Sequence, residues 1–181
     1  NISPTLYRET VLITNVLDQA GGRIDFNASP NNQFFARYSY SGGHNINPVS
    51  VRGTDAPGFP TRDDMSTDIT TLSSTRILSS SMTNSLRATY LKHQFFFDQR
   101  LNQTPPSALG FAHASSNDVG QGPPFFNIAG YSPIGGAITG PRNTTQDTFE
   151  IQDAVTWTNR THLIKVGGEI RRTGIDMSQA I

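Results

Sequence analysis

The chain contains no cysteine. That excludes a disulfide framework and a thiolate metal site, and leaves the cellular compartment open. Charge is scarce: 15% of residues are Asp, Glu, Lys or Arg, and the fourteen basic residues balance the fourteen acidic ones. A protein that grips nucleic acid through its phosphates needs a basic excess, so a nucleic-acid partner has no electrostatic support. No apolar run approaches the ~18 residues of a membrane-crossing helix, and no signal peptide stands at the start. The sequence opens at Asn1 and stops at Ile181 without an evident ending, so it is expected to be a piece of something longer. Helical periodicity is also missing almost everywhere.

What is present is the material of β-structure. Gly (16) and Pro (11) are plentiful, with much Asn, Ser, Thr and Gln, in a chain of 181 residues, long enough for one domain. Two-residue alternation predicts six strands. They are Gly21 to Ala28, Gln33 to Ser41, Thr67 to Leu78, Asn84 to about Phe97, Asp147 to Thr158, and His162 to Thr173. A weaker seventh candidate is Arg8 to Val16.

The second strand shows the pattern best. Phe34, Ala36, Tyr38 and Tyr40 share one side, with Phe35, Arg37 and Ser39 on the other. In the first, Ile24 and Phe26 oppose Arg23, Asp25 and Asn27. In the third, Ile69, Thr71, Ser73, Thr75 and Ile77 oppose Asp68, Thr70 and Arg76. In the fourth, Leu86, Ala88 and Tyr90 oppose Arg87 and Thr89. In the fifth, Phe149, Ile151, Val155 and Trp157 oppose Glu150, Gln152 and Thr156. In the sixth, Ile164, Val166, Gly168 and Ile170 oppose Lys165, Glu169 and Arg171.

The connections alternate in length. "SPNN", "SSSMT" and "NRT" are tight, turn-type links between strands one and two, three and four, and five and six. The links 42–66 and 98–146 are long. In an antiparallel up-and-down meander, the tight turns then lie at one end and the long loops at the other. Compact soluble domains rarely carry a connection of ~50 residues without structure of its own. Outer-membrane barrels do, with apolar residues facing out and polar ones facing in. The fold expected is all-β: a segment of a transmembrane barrel in the bacterial outer membrane, in contact with its lipid bilayer. Tyr40 toward the loop end and Trp157 toward the turn end fit two aromatic girdles. Asp153 resists, because it shares a face with Ile151 and Val155. A bulge could turn it inward, or the strand could face something other than lipid there.

Two stretches, "GRIDFNASPNNQFFARYSYS" (22–41) and "VTWTNRTHLIKVGGEIRR" (155–172), resemble hairpins of TonB-dependent outer-membrane receptors. The likeness is narrower still to the Oar-like group, which carries a carboxypeptidase-regulatory-like domain before the plug. "TRILSSSMTNSLRATY" (75–90) resembles the hairpin between them, and "FFNIAGYSPIGGAITGP" (125–141) a long loop before a later strand. The resemblance spans roughly 21–175. It implies a plugged barrel of about 22 strands, energised by TonB, that imports a ligand, with the Oar-like group tilted toward proteins or peptides. On this reading residues 1–181 are a partial barrel domain without its plug or N-terminal domain. Six strands fall short of the ~8 of the smallest barrels, so the native unit is expected to be larger.

Chemical motifs are thin. His44, His93, His113 and His162 lack a second ligand at metal spacing. Asp63 and Asp64, placed in the first long loop, lack the alternating oxygens and distal Glu of a calcium loop. "GQGPPFF" and "GGAITG" do not lead into a helix as phosphate loops do. No nucleophile elbow or assignable triad occurs. The expectation is therefore no enzyme and no cofactor. Candidate lumen-facing residues are Arg37, Arg76, Arg87, Lys165, Glu169 and Arg171, lining the passage or meeting the plug, or simply pairing across a wet wall. Candidate ligand contacts in the second long loop are Phe125, Phe126 and Tyr131, unless they pack the loop on itself. The competing reading is a secreted or surface β-sandwich used for binding or adhesion. Its core would need interlocking large apolar residues, whereas Thr71, Ser73, Thr75, Ala88 and Gly168 dilute the apolar set assigned here.

Overall fold

A computed structural model describes residues 10–49, 56–112, 122–136 and 141–179. They form one antiparallel sheet of six strands in sequence order: β1 (Thr14–Ser29), β2 (Asn32–Asn47), β3 (Thr61–Ser79), β4 (Met82–Arg100), β5 (Arg142–Asn159) and β6 (His162–Gln179). Every strand pairs with its sequence neighbour alone, and the sheet is not closed. Among the described residues one 3-10 turn, Pro106–Leu109, lies in the last long loop. No second sheet covers either face among the described residues. Large apolar side chains stay exposed instead, Ile170 at 78% and Ile24 at 73%. That removes the packed inner face a β-sandwich requires.

The three tight links have the chemistry the sequence suggested. Each leaves two residues outside the ladder, which closes at Ser29–Asn32, Ser79–Met82 and Asn159–His162. In the first two, the leading serine is the clamp. Ser29 Oγ accepts from the Asn31 amide at 3.3 Å and Ser79 Oγ from the Ser81 amide at 3.2 Å, the local turn bond that favours Ser at this position. Pro30 presets the backbone angle of the first turn. In the third, Arg160 takes φ +51°, a left-handed residue at the turn's first central position.

The strands run well past the expected limits, always at the loop end. β2 and β3 continue to Asn47 and back to Thr61; β4 and β5 reach Arg100 and Arg142. The long loops thus shrink to 48–60 and 101–141. Asp63 and Asp64 belong to β3, not to a loop. Asp63 Oδ1 accepts from the Asp98 amide at 2.9 Å where β4 bulges, with Asp98 at φ +53°. The separate strand expected at Arg8 to Val16 does not exist among the described residues; 14–16 open β1, and its first two residues lie outside them. Apolar alternation marks only the part of a strand that meets an apolar medium, while the hydrogen-bond ladder continues beyond it.

Candidate functional site

The register sorts every side chain to one of two faces. One cross-strand row reads Ala36, Leu72, Ala88, Ile151, Ile170. The row beside it, on the other face, reads Phe35, Ser73, Arg87, Gln152, Glu169. The first face carries a stripe of Ile24, Phe26, Phe34, Leu72, Leu86, Phe149, Val155, Trp157 and Val166. The second carries Arg, Glu, Gln, Thr and Ser.

Glycines reveal which face is concave. On the polar face, a Cβ at Gly21 would meet Tyr38 O at 3.1 Å, one at Gly167 would meet Asp153 O at 2.5 Å, and one at Gly43 would collide with Val16 O. On the apolar face, Gly22, Gly168 and Gly174 have nothing within 4 Å, and Gly42 meets only the ring of Tyr40. Bending crowds side chains on the inside of the curve and splays them on the outside, so the polar face is concave and the apolar face convex.

The apolar stripe also slants. On β2 it runs from Phe34 to Tyr40, and on β6 from Ile164 to Ile170. Phe34 lies in register with Gly168, so the β6 stripe sits four residues nearer the turns. Four residues is ~13 Å along a strand, and four strand spacings are ~19 Å, which gives a tilt of about 35°. Barrels that cross membranes tilt by ~35–45°. On β5 the stripe runs from Phe149 to Trp157, the ~9–11 residues a tilted strand needs to cross a bilayer.

The family model of the outer membrane beta barrel domain matches residues 3–180. The chain belongs to that family. No curated protein and no solved structure gives a match. The protein is accordingly a bacterial outer-membrane barrel wall, convex side against lipid.

The aromatic boundary of this wall carries a repeated device that the sequence did not reveal. Tyr38 donates its hydroxyl to Asp68 at 2.5 Å, and Tyr90 donates to Asp147 at 2.5 Å. Tyr90 ends the apolar stripe on β4, and Tyr38 stands one same-face position before its end at Tyr40 on β2; each aspartate lies one strand on and two residues nearer the loops. Above them the convex face turns polar, with Arg62 and Asp64 paired at 2.8 Å. The signal was a Tyr and an Asp on strands whose register is invisible before the fold is known.

Asp153 does point to the convex side, in register with Leu86 and Gly168. No bulge rescues it. Asn84 donates to its carboxylate at 2.6 Å instead.

The candidate lumen residues divide. Arg37, Arg87, Lys165, Glu169 and Arg171 share the concave face. Arg76 does not: it lies in register with Asn32 and Asn84 on the convex face, donating to Asn32 Oδ1 at 2.9 Å near the turns. The whole facing of β3 is opposite to expectation. Thr70, Leu72 and Ser74 are convex; Ile69, Thr71, Ser73 and Thr75 are concave. Hydroxyl residues populate both sides of this strand, so its own alternation was too weak to define a face.

On the concave face Arg171 bridges Glu150 (2.5 Å) and Glu169 (3.1 Å), and Gln152 donates to the same two glutamates at 2.7 and 2.8 Å. Arg23 pairs with Asp25 at 2.6 Å and stacks 4.1 Å over Phe35. His93 bonds Thr67 at 2.8 Å through Nδ1. His113 lies outside the described residues. Among the described residues no three His, Asp or Glu side chains converge as a metal site requires.

The long loops are tied at their bases, Leu101 N to Pro60 O at 3.0 Å and Asn102 Nδ2 to Gly58 O at 2.8 Å. Phe126 and Ile134 exchange backbone bonds that close a small tip, and Phe111 lies 5.4 Å from the Phe126 ring. Phe126 thus meets another loop ring while keeping 36% of its surface exposed, and Phe125 is half-buried. Tyr131, 77% exposed, is the most exposed of the three candidates.

Proposed function

We propose that this wall belongs to a TonB-dependent importer of the Oar-like kind, a transport protein without a catalytic role. Its concave face lines a lumen that a plug domain fills in the full-length protein. The long loops capture the ligand outside the cell, and a protein or peptide is the class favoured by the resemblance. The observation that carries this reading is the asymmetry of the sheet's ends: three two-residue turns at one end, two long loops tied together at the other. Loops that extended, with an exposed Tyr131 at a tip that carries no charge, suit capture better than simple closure. The resemblance of 22–41, 75–90, 125–141 and 155–172 supplies the TonB part.

The test is growth of the native host on a candidate protein or peptide as sole source of a required nutrient, with the receptor present or deleted, and with TonB active or removed. Uptake that needs both, and that weakens with Tyr131→Ala at unchanged receptor abundance, supports the proposal. Uptake indifferent to TonB refutes it.

A further inference from the structure

Five cations and three carboxylates occupy the concave face at the level of the apolar stripe. Arg23 and Arg171 hold all three carboxylates, Asp25, Glu150 and Glu169. Arg37, Arg87 and Lys165 therefore have no carboxylate partner among the described residues.

Their depths follow from register and tilt. The row through Arg37 reads Arg37, Thr71, Thr89, Glu150, Arg171. Arg87 lies two residues nearer the turns than Thr89, on a strand two steps away. The slant of one residue per strand cancels that offset, so Arg37 and Arg87 stand at one depth. Lys165 lies six residues nearer the turns than Arg171, four strands from β2. The slant absorbs four of these, which leaves Lys165 about 5 Å lower. Neighbouring members stand two strand spacings apart, and with their offsets along the strands their backbones are about 12 Å apart for Arg37 and Arg87 and about 16 Å for Arg87 and Lys165. Between them β3 and β5 present Thr71, Ser73, Gln152, Ala154 and Thr156, none of which bears charge, while Glu150, diagonal to Arg87 on β5, is held by Arg171 and Gln152. Arg23, beside Arg37 on β1, is neutralised by Asp25 and by its seat on Phe35.

We infer that Arg37, Arg87 and Lys165 form an arc of cationic donors at mid-depth on the lumenal face that binds anionic groups, carboxylate or phosphate. Rings of Arg and Lys give pores their preference for anions, because field lines focus in a low-dielectric wall. Two sources supply the anion: solutes in passage, or carboxylates of a protein element seated in the lumen. The inference rests on the concave face being the lumen, a point tested separately by thiol labelling at Ser39.

The experiment uses the full-length protein in planar bilayers under a potassium chloride gradient, comparing wild type with R37Q/R87Q/K165Q. The convex-face variant R76Q is the control, and membrane insertion of each variant is confirmed first. If solute anions use the arc, the wild type prefers chloride and the triple variant loses that preference several-fold. If carboxylates of a lumenal element occupy it, the wild type is closed and the triple variant conducts. Identical conductance and selectivity in both proteins, including both remaining closed, overturns the inference. So does an equal shift in R76Q. Failure with Ser39 still labelled leaves the lumen assignment standing and removes the arc alone.

Discussion

Leu72 and Thr71 are adjacent on β3 and decide its facing. Leu72 is convex, 54% exposed, in a row with Ala36, Ala88, Ile151 and Ile170. With the slant applied, it stands close to the middle of the stripe. An arginine there loses its hydration to lipid, which costs about 2–4 kcal/mol at the bilayer midplane. Thr71 points to the wet concave face, where a cation keeps its water and the expected cost is under ~1 kcal/mol. Leu72→Arg should thus shift the folding equilibrium by roughly thirtyfold to a thousandfold, and Thr71→Arg by little. The assay is reversible urea unfolding of the full-length barrel into bilayers of defined lipid, followed by protease protection. A larger loss for Thr71→Arg than for Leu72→Arg would refute the register-based facing.

The curvature argument makes a parallel claim on β6. Gly167→Val should cost about 1–3 kcal/mol, because the new side chain meets Asp153 O and Ala154, whereas Gly168→Val, into open space, should be within ~0.5 kcal/mol of wild type; denaturant midpoints compare them. Asn84→Leu leaves the lipid-facing carboxylate of Asp153 without its donor, and should destabilise by about 1–3 kcal/mol. Adding Asp153→Leu should return most of that loss, which a double-mutant cycle measures. Arg171→Gln removes the ion pairs of an exposed guanidinium to the largely covered Glu150 and to Glu169, with Gln152 still bonded to both glutamates, and should cost about 1 kcal/mol. Phe126→Ala removes the contact with Phe111 and should expose the loop to protease faster than Tyr131→Ala does.

The strands, their order and the two ends of the sheet were legible because alternation and turn chemistry are local. The two-residue links at Pro30–Asn31, Ser80–Ser81 and Arg160–Thr161 and the meander follow directly from them. Strand ends were not legible. Beyond Tyr40 and Tyr90 the convex face becomes polar, so alternation stops while pairing continues to Asn47 and Arg100. The facing of β3 was misread because Thr and Ser fill both sides, and only its ladder with Phe34, Ala36 and Tyr38 assigns it. Arg76 was misplaced with it. The partnerships of Tyr38 with Asp68, Tyr90 with Asp147 and Asn84 with Asp153 link residues 30 to 69 apart, and no local pattern encodes them. Phe126 and Tyr131 look alike in sequence; the ring contact with Phe111 and the difference in exposure, 36% against 77%, separate them only in the fold.

The central claim is that the concave, polar face is the wet interior and the convex, apolar face meets lipid. Because this chain has no cysteine of its own, single cysteines at Ala36 and Ser39 in the full-length protein, in outer membranes of its native host, test it with a membrane-impermeant thiol reagent. The account predicts labelling at Ser39, slow or requiring displacement of the plug, and protection at Ala36. Labelling at Ala36 with protection at Ser39, or recovery of the full-length protein in the soluble fraction, would contradict it.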